Sequence, residues 1–190
     1  MATEAVADDY LDRPLRALFD DVAGTDSVPA AGSVIATLGA LSAGLAAKVA
    51  HRSHSRLPDA EEIAGRLDAL RLTFEPLITA DALGYAAALA VRGDDRAAAM
   101  HALSFDLVLI AEAAATVAEL ASTLALTGNP NLRYDAEASV RIAVTVTQIA
   151  AELIGANVVE TELSRRANSA AGGALAAAIH CASTSGSRDR

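Results

Sequence analysis

Apolar residues recur every three or four positions along almost the whole chain, and polar punctuation cuts that pattern into helical segments. The first is expected from Asp12 to Val22, with Asp12 as N-cap and Pro14 in the first turn. Gly24 to Pro29 is a break. A second helix is expected to open at Ser33 and run to about Arg52, with Gly39 and Gly44 set among alanines. Glycine lowers helix propensity, so those positions point to close approach of a neighbouring helix. Asp59 then reads as an N-cap, with Glu61 and Glu62 well placed near a helix N-terminus. The third helix continues to about Val91 on a stripe of Ile63, Leu67, Leu70, Phe74, Leu77, Ile78 and Tyr85. Pro76 is expected to bend it or mark a joint.

Arg92 to Asp95 reads as a short turn. The fourth helix follows to about Leu126, burying Leu103, Leu107, Ile110, Val117, Leu120 and Leu124. Gly128-Asn129-Pro130-Asn131-Leu132-Arg133-Tyr134-Asp135 is the strongest loop signal in the chain. The fifth helix is expected from near Asp135 to about Asn168, about 50 Å if unbroken. Gly172 and Gly173 are expected to interrupt it before a last short segment that ends near Ala182. No strand-period alternation and no solenoid repeat is present. The fold class is therefore all-α: one bundle of five to six helices over residues 1–182, with 183–190 a disordered tail.

Composition agrees and narrows the partners. Of the 190 residues 53% are hydrophobic but only 3% aromatic, and alanine packs helices closely. The net charge of −9 argues against nucleic acid, whose phosphates need a basic face. Cys181 is the single cysteine, which leaves no disulfide within the chain and fits a reducing compartment. The acidic N-terminus has no apolar run of a signal peptide, so a cytoplasmic location is expected. Ser27 to Ala47 is uncharged and long enough to span a bilayer, yet its Ala, Gly, Ser and Thr gain little in lipid. A helix buried by its own protein is the expectation, with no membrane partner.

Several residues carry candidate chemistry. Asp81 follows Leu77 and Ile78 by one helical turn, so it projects toward the apolar side, where burial raises a carboxyl's pKa. Gly32 and Ser33 at a helix start offer either free N–H groups for an anion or a simple cap. Asn129, Asn131 and Asp135 read as a mixture of loop closure and ligand contact, with Asp135 capping and Asn129 nearer the ligand. Lys48, the only lysine, sits beside His51 and Arg52. It reads as a cation favourable to the helix C-terminus or as a ligand contact. The four histidines lack metal-ligand spacing, so no metal is expected, and Cys181 reads as an inert thiol.

Three stretches in register resemble a known family. Val28-Pro29-Ala30-Ala31-Gly32-Ser33-Val34 resembles its Pro-Gly-Gly-Gly-Ser turn. Leu77-Ile78-Thr79-Ala80-Asp81-Ala82-Leu83-Gly84-Tyr85 resembles Leu-Ile-Asp-x-Asp-x-x-Ala-Phe/Tyr, and the loop from Gly128 to Asp135 resembles Gly-Asn-x-x-x-x-Ser-Asp. Ile154 to Val158 aligns with a segment that ends Ile-Asn-Leu, placing Asn157 on its asparagine. On these motifs the chain resembles the cyclodeaminase/cyclohydrolase family, which includes the cyclodeaminase half of formimidoyltransferase-cyclodeaminase and bacterial methenyltetrahydrofolate cyclohydrolases. Two motif glycines are alanines here, and Thr79 and Tyr134 replace an aspartate and a serine. Leu153 replaces an asparagine, and the turn after Val91 lacks a Pro-Lys pair.

The resemblance implies a helical enzyme acting on the carbon that bridges N5 and N10 of a tetrahydrofolate derivative, which is substrate and not cofactor. It implies Asp81 as the acid/base residue. Gly32, Ser33, Lys48, Tyr85, Asn129, Asn131, Asp135 and Asn157 are the candidate substrate contacts, in a pocket between the Gly32, Asp81 and Asn129 regions. A chain without a transferase half favours the cyclohydrolase of the two reactions. The departures leave open a member recruited to a different cyclisation or lyase step, and a non-catalytic helical interaction protein is the third reading. Ala/Gly-lined helix faces point to a homodimer.

Overall fold

The computed structural model describes residues 9–158 and 162–185. Six α-helices follow one another: α1 Leu15–Val22, α2 Ala31–His51, α3 Ala60–Ala90, α4 Gly93–Thr127, α5 Arg133–Asn157 and α6 Glu162–Ser185. Short 3-10 turns at Tyr10–Asp12 and Pro130–Leu132 precede α1 and α5, and no strand occurs among the described residues. The all-α bundle expected from the periodicity is what forms.

α4 packs against α2, α3, α5 and α6, and so forms the middle of the bundle. It buries Leu107, Val108, Ile110, Val117 and Leu124 as its apolar spacing requires. α2 carries the smallest residues and lies between α3 and α5. At Gly39 the reason is direct. A Cβ there would fall 2.5 Å from the ring of Phe74, itself fully buried. Gly44 meets only the Arg71 side chain, at 3.5 Å, so its smallness is not demanded in the same way.

Several boundaries differ from those the sequence suggests. Asp12 does not cap α1; it lies in the preceding turn, where Asp9 accepts from the Leu11 N–H, and Pro14 stands at the start of α1. α2 begins two residues before Ser33, at Ala31, with no side-chain cap. α3 runs through Pro76 to Ala90, close to the expected end, and the proline ring is exposed. α4 starts earlier than the turn predicted, on Gly93, whose φ of 59° lies in the left-handed region open to glycine.

The largest correction is at the C-terminal end. The expected fifth helix ends at Asn157, where the extended backbone of Val158 stops it, and α6 begins after a short connection. α6 then runs straight through Gly172 and Gly173 to Ser185, three residues past the expected end of the domain. The glycines cost some propensity, but α6 packs along both α4 and α5 and is held by them. Residues 186–190 of the expected tail lie outside the described residues.

Among the described residues, α2, α4 and the stretch Pro130–Asn157 that contains α5 are each long and apolar enough to cross a membrane, whereas the sequence pointed only to the first. Their apolar faces are turned on one another within the bundle.

Candidate active site

The start of α2 meets the middle of α3, because the two helices run antiparallel with Gly39 on Phe74 and Gly32 on Asp81. A Cβ on Gly32 would lie 2.0 Å from Asp81 Oδ1, so only glycine leaves room for the carboxyl. Ser33 Oγ donates to Asp81 Oδ2 at 2.9 Å, and the Ser33 N–H donates as well. That N–H belongs to the first turn of α2, whose amides have no partner within the helix and whose dipole favours negative charge. The anion seat expected at Gly32–Ser33 therefore exists, and the protein's own Asp81 occupies it.

Asp81 is only 4% exposed. Burial raises its carboxyl above the ordinary carboxylate range, the two Ser33 hydrogen bonds oppose this, and a second carboxylate, Asp106 of α4, adds to the rise. Desolvation outweighs the hydrogen bonds, so the protonated form persists to higher pH than in a free aspartate. Such a group can give and take a proton at a higher pH than a free aspartate. Asp106 is itself half-buried, and burial raises its carboxyl too.

Tyr85 lies one helical turn beyond Asp81 on the same face of α3, half-buried. Asn157 lies toward the same end of the bundle. α5 runs back along α2, fixed by hydrogen bonds between Ser42 and Ser139 and by the Lys48–Asp135 pair, so its last residue passes the start of α2. Thr79 takes another role. Its Oγ1 donates to Asp9 at 2.9 Å and accepts from the Tyr10 N–H at 3.0 Å, tying the N-terminal turn to α3 just before Asp81.

The remaining candidates sit elsewhere. Lys48 is about 24 Å from Gly32 along α2 at the usual rise of about 1.5 Å per residue. Its Nζ pairs with Asp135 Oδ2 at 3.1 Å, on side chains 56% and 37% exposed. Asn129 donates from Nδ2 to the Arg52 carbonyl at 3.1 Å and from its N–H to Ser53 Oγ at 2.9 Å, and its Oδ1 accepts from the Asn131 N–H. Gly128 is needed for this closure, since a Cβ there would lie 2.9 Å from Ser53 Oγ. Asp135 does not cap α5 as expected but holds Lys48, and it is Asn129 that caps the turn before α5. Tyr134 stands there 75% exposed. A single pocket joining the Gly32, Asp81 and Asn129 regions of one chain does not form, because the length of α2 separates them.

Two features escaped the sequence reading. Asp106 carried a signal, standing three residues after Leu103 and four before Ile110, on the buried stripe. Asp9 and Tyr10 carried none, because a contact across 70 residues leaves no mark on local periodicity. Among the described residues no three His, Cys, Asp or Glu side chains converge as metal ligands. A groove between α4 and α6, lined in part by Glu112, Glu119, Arg166 and Ser169, contains none of the candidate residues. There Arg166 holds Glu112 through two hydrogen bonds of 2.8 Å.

The family model described as formiminotransferase-cyclodeaminase matches residues 14–164. A solved structure, the formiminotetrahydrofolate cyclodeaminase of Thermotoga maritima, superposes with a TM-score of 0.78 at 18% identity. The match covers 90% of this chain and 92% of that one. None of the curated proteins matches.

Proposed function

The chain belongs to the formiminotransferase-cyclodeaminase family, and on that premise we propose that it is an enzyme of folate one-carbon chemistry, a cyclodeaminase or cyclohydrolase. The observation that carries this reading is Asp81: a carboxyl buried at the start of α2, with its proton held above the ordinary range. In both reactions a nitrogen leaves the carbon that bridges N5 and N10, and it must be protonated to leave. In hydrolysis of the methenyl bridge, water adds to that carbon, one nitrogen takes a proton, and the C–N bond breaks. In deamination N10 adds to the formimidoyl carbon and gives up its proton, the former imine nitrogen is protonated, and its C–N bond breaks to release ammonia. Asp81 supplies the proton in either case.

Gly32 and Ser33 hold the Asp81 carboxyl, and Tyr85 and Asn157 are the candidate contacts at that end of the bundle. The protein works as a cytoplasmic homodimer, without metal, nucleic acid or membrane. A clean monomer mass by light scattering would remove the dimer. Thr79 favours a second reading. Its hydroxyl is taken up by Asp9 and Tyr10 where the family pattern has a carboxylate, which fits a member recruited to a different cyclisation or lyase step.

Purified protein mixed with 5,10-methenyltetrahydrofolate or with 5-formimidoyltetrahydrofolate separates the two. Loss of the methenyl absorbance, or release of ammonia, is expected. No turnover of either, together with no heat of binding for 5-formyltetrahydrofolate, would favour the recruited enzyme.

A further inference from the structure

Asp81 shares its end of the bundle with a second carboxyl that the family motifs do not include. α3 and α4 run antiparallel, and Gly84 sets their register there. A Cβ on Gly84 would lie 2.9 Å from Leu103 Cδ1, so the Leu103 side chain rests against the α3 backbone. Asp81 lies three residues before Gly84 in α3, and Asp106 lies three residues after Leu103 in α4. In antiparallel helices those two steps go the same way, and residues three apart share a face. The two carboxyls therefore stand opposite each other across one seam.

The surroundings isolate this pair. α2 presents Gly32 and Ser33 to Asp81, and neither carries charge. Tyr85 lies one turn along α3. His101 of α4 stacks edge-on against Phe105 on the exposed side. Among the described residues, Asp106 makes no hydrogen bond or ion pair, although it is half-buried beside the buried Leu107. Asp9 of the N-terminal turn is the other acid nearby, and it is engaged by Thr79; among the described residues no cation pairs with Asp81 or Asp106.

We propose that Asp106 is a positioning residue for Asp81, its negative charge across the α3–α4 seam keeping the proton on Asp81 for donation to the leaving nitrogen. This role rests on the folate reading above for the identity of the reaction, though not for the coupling of the two acids. Like charges facing each other across a seam resist simultaneous ionisation, and burial of both strengthens the effect. The pair then titrates as a unit, the more exposed Asp106 losing its proton first.

The test is a pH titration of the full-length protein carrying aspartate labelled with carbon-13 at the carboxyl. The Asp81 signal is the one absent from Asp81→Asn. Asp106→Asn and Asp106→Ser remove the charge, whereas Asp106→Glu keeps it. In both neutral variants the Asp81 midpoint is expected to fall, and in Asp106→Glu to stay high. Turnover of 5,10-methenyltetrahydrofolate gives the second readout. An acid works only while protonated, so the alkaline limb of the profile should move to lower pH by the same amount. An Asp81 midpoint unchanged in the folded neutral variants would overturn the proposal. A shifted midpoint in a protein that turns over no folate would sustain the coupling and remove the folate reading instead.

Discussion

The two ends of α2 carry residues from the same set of motifs, and their polar groups are treated in opposite ways. At the start of the helix, Asp81 is buried against Gly32 and held by Ser33, yet its carboxyl remains raised because burial outweighs those hydrogen bonds. At the far end, Asn129 spends its donors and acceptor on the Arg52 carbonyl, Ser53 and Asn131, and Lys48 pairs with Asp135 in the open. A polar group whose cost is met closes a loop and needs no further explanation. A buried acid whose cost is not met is the kind of group that functional sites retain. The near end therefore reads as the place of chemistry, and the far end as the clasp that joins α2 to α5.

The sharpest way to probe that contrast is Gly32→Ala. The added methyl cannot coexist with a carboxyl 2.0 Å away, so Asp81 must leave the Ser33 donors. A loss of turnover of about a hundredfold or more is expected in a protein that still folds. Gly39→Ala, two turns along the same helix, should act on stability and spare the chemistry. Phe74 is fully buried and cannot retreat, which puts the cost at about 1–3 kcal/mol, read as a melting temperature several degrees lower.

The pH dependence of stability separates the ends further. Burial lifts the folded Asp81 above its unfolded value, so the stability it contributes is complete below the ordinary carboxylate range and is lost as pH rises through the raised value. The melting temperature of Asp81→Asn should therefore gain on the wild type as pH rises. At the far end, effects are smaller. Asn129→Ala should cost about 1 kcal/mol through the lost cap. Lys48→Met should cost less than about 1 kcal/mol, since its partner is exposed. Loss of turnover in Asn129→Ala without loss of stability would break the contrast and bring the far end into the site.

Most of the fold was legible because helical periodicity is local. The stripe from Ile63 to Ile78 and that from Leu103 to Leu124 are the buried faces of α3 and α4. The end of α5 was harder to read: Gly155 and Asn157 stand there, but the paired Gly172 and Gly173 are the stronger signal along the chain and are overridden by packing. The inward projection of Asp81 followed from its place one turn past Leu77 and Ile78. Its contact with Gly32 did not, since motif order along a chain says nothing about which motifs meet. The same limit joined Asn129 to Asp81 on paper and separates them along α2.

Turnover of Asp81→Asn, measured beside the wild type on 5,10-methenyltetrahydrofolate, bears on the assignment of the near end more directly than any other measurement. The amide keeps the size of the side chain and an acceptor for Ser33 while removing the titratable proton. A fall in kcat of about 10²–10⁴-fold is expected, with KM little changed. The variant should melt no lower than the wild type at neutral pH, because the amide avoids much of the carboxylate's desolvation. Full turnover in this variant would take Asp81 out of the mechanism and leave it as a buried tie between α3 and the start of α2.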